Sequence, residues 1–136
     1  MTLSSKRGYA FNRTQQTFLA NDLDVADSHW TRLKGLIGTS HEEFFEGRGL
    51  WIIPSHGVHT IAMRYPIDVA YLDSDNVVVH MEESVRPWRI TPIRIEAESV
   101  LELPSRTLSN TRTKVGDRLE ICVDSPAPAN GQRNEP

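Results

Sequence analysis

The apolar positions of this chain change their spacing twice. Tyr9 to Arg13 and Thr17 to Ala20 read as short strands separated by polar turn residues. Asp27-Ser28 then precedes Trp30, Leu33 and Ile37, which recur at spacings of three and four and so share one helix face. Asp27 or Ser28 is placed to cap that helix and Gly38 to follow its end. Gly35 inside it costs about 1 kcal/mol against alanine, which points to close packing there. Ser40-His41-Glu42-Glu43 has capping-box spacing and predicts a further helical turn ending near Gly47. From Gly49 the period becomes two. Leu50 to Ile53 is a continuous apolar run closed by Pro54, as in a buried strand. His59 to Met63 predicts another strand. Ile67 to Leu72 and Val77 to Glu82 flank Asp73-Ser74-Asp75-Asn76 and read as a hairpin. Val100 to Leu103 stops at Pro104. After a Gly116-Asp117 turn, Leu119, Ile121 and Val123 alternate with Arg118, Glu120 and Cys122. Seven or eight short strands with one or two short helices predict a mainly β, compact β-sandwich or barrel-like single domain. An open α+β sheet with a helix on one face is the alternative.

The length of 136 residues fits one domain. The expected division is a flexible N-terminus over 1–7, one folded unit over 8–123 and a disordered tail over 124–136. That tail has no aromatic or large aliphatic residue to repay the entropy of ordering. The net charge of −3 argues against a broad nucleic-acid-binding face. The single cysteine, Cys122, excludes an internal disulfide framework and a cysteine-rich zinc site, and no neighbour marks it as an activated thiol. No apolar run reaches the roughly 18 residues of a membrane-spanning helix. The N-terminal basic residues are not followed by an apolar stretch, so the cytoplasm is the default expectation, with export left open.

The segment from Ser55 to Asp68 concentrates the candidate chemistry. If 59–64 is extended, His59, Ile61 and Met63 share one face, and His59 and Met63 line a pocket together. Arg64 and Asp68 are spaced to pair across the Tyr65-Pro66 bend. His56 and His59 are weak metal candidates, with Met63 or His80 as a third ligand; their spacing is poor for chelation on a strand, and no metal or other cofactor is expected. Arg86 to Arg94 interleaves arginines with Trp88 and two prolines. Trp88 and Arg89 there are suited to hold a planar or anionic group, while a packing role would have Trp88 plug the end of the barrel. There is no Gly-x-Ser-x-Gly nucleophile and no phosphate-binding glycine loop.

The order of Trp30–Leu36, Gly49–Pro54, His59–Asp73, Pro87–Arg89, Val100–Pro104 and Gly116–Leu119 resembles the family called domain of unknown function 192, over about residues 8–123. The resemblance implies a compact, mostly β, sandwich-like domain and transfers no catalytic residue. Many relatives have cysteine where this chain has Ser55, and some are exported. The expectation is a non-enzymatic binding or accessory module. It would hold a small polar or anionic ligand, or a protein partner, at the sandwich rim through His59, Met63, Arg64, Asp68, Trp88 and Arg89. The alternative is an enzyme, a hydrolase or metal-dependent activity, centred on His59 and Asp68. Neither a nucleic-acid partner nor any oligomeric state is specified.

Overall fold

Two strands of the chain are buried on both faces, and they organise everything else. In a computed structural model, which describes residues 8–28, 32 and 35–128, all six residues of β5 (Ile67–Leu72) are buried. In β7 (Ser99–Pro104) only the final proline is partly open. A strand covered on both sides reads as a continuous apolar run because neither face meets water. Odd residues of β5 (Ile67, Val69, Tyr71) join one core cluster with Val100, Leu50 and Ile52. Even residues (Ala70, Leu72) join a second with Leu101 and Leu103.

These strands lie in a five-stranded sheet of order β3-β4-β7-β5-β6, completed by β3 (Asp22–Ala26), β4 (Arg48–Ile52) and β6 (Val78–Val85). β3 and β4 run parallel; the other pairs are antiparallel. A three-stranded antiparallel sheet, β2-β1-β8, is formed by β1 (Tyr9–Asn12), β2 (Thr17–Ala20) and β8 (Leu119–Cys122). Ala10, Leu19, Ala20 and Leu119 from it pack with Leu23, Leu101 and Leu103, so the second cluster is the seam between the sheets. The opposite face of the large sheet is covered by Leu36, Phe44, Val58, Met63 and Tyr65 from the connections around β4. The mainly β, two-sheet single-domain expectation is met.

The hairpin is present and its loop is built by Asp73, whose Oδ1 accepts from the N–H groups of Asp75 and Val77 at 2.9 Å each. The Ser40 capping box is also present: Ser40 N donates to Glu43 Oε1 and Glu43 N to Ser40 Oγ. Four expectations change. β3 was not anticipated, because its polar Asp22 and Asp24 lie on the sheet edge beside Arg48, which pairs with both. A short helix, α1 (Thr107–Asn110), stands where polar residues gave no period. Gly35 has φ 52°, so it is a left-handed turn residue and not a helix interior position. The region 59–63 is not a strand: His59 makes a single bridge to Ile90, and Ala62 turns the chain at φ 68°. Most of the helix expected after Asp27 lies outside the described residues.

Candidate functional site

Strand β7 places one charged residue inside the apolar layer. Its alternation puts Glu102 on the side of Val100, opposite Leu50 of β4 and Val69 of β5. Glu102 is 1% exposed, and its Oε1 has no hydrogen-bond partner among the described residues. Burial pushes its carboxyl up to about 8, so it is mostly neutral at pH 7. Leaving a buried polar atom unpaired costs about 1–3 kcal/mol, and folded proteins seldom retain one without a use.

Glu102 lines a cleft of about 260 Å³ on the covered face of the large sheet. Ile52, Leu36, Val58 and Met63 supply its apolar wall; Ser55, His59 and Arg32 supply the polar one. A Cβ on Gly35 would stand 3.8 Å from Glu102 Oε1, so Gly35 brings bare backbone up to the carboxyl. Gly57 has a comparable role at the loop: a Cβ there would meet the Pro92 carbonyl at 2.9 Å, so only glycine lets the 86–96 segment lie this close. Half-buried His59 accepts a hydrogen bond from Ile61 N at Nδ1 (3.2 Å), which leaves Nε2 as the ring's donor. Tyr65 donates its hydroxyl to the Thr39 carbonyl. Burial, then the nearby Glu102, raises its phenol to about 12.

The six residues expected at one site are dispersed. His59 and Met63 do line the cleft together, although not by strand alternation. Arg64 is exposed and borders a separate depression with Gly38, Ser40 and Ala62. Asp68 does not pair with Arg64. It is fully buried, and its oxygens accept from Ser84 N (2.8 Å) and Leu108 N (2.9 Å). It therefore ties β6 and α1 to β5, and the His59–Asp68 centre of the enzyme alternative is not assembled. Trp88 is not a plug: it is 64% exposed, and Arg89 beside it is exposed as well.

The candidate metal-binding histidines each have a local hydrogen-bond partner. His56 donates from Nδ1 to the Ala97 carbonyl at 2.8 Å. His80 donates from Nε2 to Glu82 and accepts at Nδ1 from Arg94. Among the described residues no group of three or more His, Cys, Asp or Glu could hold a metal ion. No described helix is long and apolar enough to cross a membrane. Cys122 is a free, half-buried thiol on β8, in contact with Asp124. Sequence reasoning missed Glu102. The available signal was a lone glutamate at an inward position of an otherwise apolar strand.

Comparison with known proteins agrees with this architecture. The model of the DUF192 family, described as "Uncharacterized ACR", matches residues 10–121. The UPF0127 protein of Thermococcus sibiricus is 26% identical over 118 residues, covering 83% of this chain and 74% of that protein. Among solved structures, a protein of unknown function from Novosphingobium aromaticivorans superposes with a TM-score of 0.69 at 18% identity, over 83% of this chain and 82% of that one. A Sinorhizobium meliloti 1021 protein superposes with a TM-score of 0.73 at 20% identity, over 89% and 96%. At these identities the two structures share the fold.

Proposed function

The chain belongs to the DUF192 family, and we propose that it is a non-enzymatic binding module that takes the polar end of a small ligand onto Glu102. The observation that carries this reading is the buried Oε1 of Glu102, without a partner among the described residues, in the wall of a cleft. A neutral carboxyl offers one donor and one acceptor side by side. It complements a neutral group with the same pair, such as a carboxamide, while the apolar wall takes the rest of the molecule. Of the polar or anionic ligands expected, the neutral carboxyl favours the neutral polar class; Arg64 and Arg89 stand outside the cleft lining, and Arg32 is the arginine within it. His59 Nε2–H adds a second donor. The cytoplasmic compartment expected from the sequence stays part of this reading.

The test is ligand-observed NMR on the full chain with a set of small primary carboxamides, at pH 6 and pH 9. The reading expects hits at pH 6 that weaken at pH 9, as Glu102 ionises through about 8, and that vanish in Glu102→Leu. No hits, or hits indifferent to both pH and Glu102→Leu, would overturn it.

A further inference from the structure

A second surface, separate from the cleft, gathers unlike residues that one kind of partner suits. The segments 56–64 and 86–96 run beside each other, joined by backbone hydrogen bonds from Thr60 to Arg89, Thr91 to Val58 and Arg94 to His56, and between them they expose Ile61, Trp88, Ile90, Ile93 and Ile95, the last three at 74%, 74% and 84%. Single exposed apolar residues are ordinary; five on two adjacent segments mark an interaction surface. Arg64, Arg86 and Arg89 are exposed among them. These two segments carry four arginines and one acid, Glu96, in a chain whose net charge is −3.

The display is held rigidly. Trp88 sits at φ 64°, a left-handed conformation that tryptophan adopts only at a cost. Thr60, fully buried, holds it there. Its carbonyl accepts from Trp88 N (2.9 Å), its hydroxyl donates to the Arg86 carbonyl (2.6 Å), and the same oxygen accepts from Arg89 N (2.9 Å). Thr60 N donates to the Arg89 carbonyl at 2.8 Å. A loop strained and pinned so as to push its tryptophan into solvent is pre-organised for contact.

We infer that these loops dock the protein on an anionic lipid surface, with Trp88, Ile90, Ile93 and Ile95 at the headgroup–acyl boundary and Arg64, Arg86 and Arg89 on lipid phosphates. Tryptophan and aliphatic side chains with flanking arginines are the composition of an interfacial anchor. The charge selects the occupant. A second copy on a two-fold axis would set these arginines against their own equivalents, whereas an anionic bilayer meets every arginine with opposite charge.

The test is co-sedimentation of the full chain with vesicles of phosphatidylcholine alone and of equimolar phosphatidylcholine and phosphatidylglycerol. The expected result is binding to the mixed vesicles, weakened by salt, with a blue shift of tryptophan emission that Trp88→Phe abolishes. Each of Ile90→Ser, Ile93→Ser and Ile95→Ser should weaken binding about tenfold, and each of Arg86→Gln and Arg89→Gln about fivefold. All five positions are exposed, so unchanged melting temperatures confirm that the variants fold. Failure to bind the mixed vesicles, equal binding to both kinds, or binding indifferent to the triple isoleucine variant would overturn the inference. So would concentration-dependent self-association, without lipid, that the triple variant removes.

Discussion

Two carboxyl groups stand one residue out of register on neighbouring strands and have opposite fates. Asp68 on β5 lies opposite Leu103, and Glu102 on β7 opposite Val69. Both are buried, at 0% and 1% exposure. Asp68 accepts two backbone N–H groups that would otherwise be orphaned, one at the end of β6 and one at α1. Glu102 keeps an oxygen with no partner among the described residues and lines a cleft. The same side-chain chemistry builds the fold in one place and leaves an open oxygen in a cleft wall in the other. What differs is whether local backbone closes the hydrogen bonds.

The sharpest way to break this comparison is to remove the satisfied member. Asp68→Ala deletes two hydrogen bonds to a carboxylate and strands their donors, so it should lower stability by about 4 kcal/mol in denaturant melts. A loss under about 1 kcal/mol would mean that Asp68 is not structural.

Removing the unsatisfied member should do the reverse. The Glu102 carboxyl is raised from 4.5 to about 8 in the fold. Between those values the unfolded chain has released its proton and the folded chain has kept it. Stability therefore falls as pH rises across that window, by about 1.4 kcal/mol per pH unit, and levels off above it. Glu102→Gln should flatten this slope. Its gain over the parent chain should be up to about 3 kcal/mol at pH 7 and vanish near the lower end of the window. A thermal melt series in pH reads both.

Thr60 belongs with Asp68, since its hydroxyl both donates to Arg86 and accepts from Arg89. Thr60→Val should cost about 2 kcal/mol through the unpaired backbone groups left behind. It should also raise hydrogen exchange in the 86–89 segment, where an effect elsewhere would contradict the assignment. The smallest effect is expected beside the cleft. Tyr65→Phe loses one bond to the Thr39 carbonyl and about 1 kcal/mol, measured by urea titration.

The sheets were legible because their strands are short apolar runs punctuated by Pro54, Pro104 and the Asp73–Asn76 turn. β3 was not, because its aspartates answer to Arg48 across the edge, a contact between residues 24 apart. The candidate site was half legible. His59 and Met63 do share a cleft, but Arg64 and Asp68, four residues apart, are separated by burial. Glu102 carried one local signal, a lone glutamate at an inward position of an apolar strand, which does not by itself tell a paired carboxyl from an unpaired one. It became informative only when Leu50, Val69 and Gly35, distant in sequence, were seen to surround it without pairing it. Trp88 does not take the alternative packing role because Thr60 holds its loop in a left-handed turn, with the side chain exposed.

Binding through the cleft turns most directly on the protonation state of Glu102. A carbon-detected NMR titration of its side-chain carboxyl in the free protein, assigned against Glu102→Gln, measures it alone. The expected midpoint is near 8, with the group mostly neutral at pH 7. A midpoint in the ordinary range of about 4 would show that Glu102 is already solvated or paired, and would remove the basis for the cleft as a binding site.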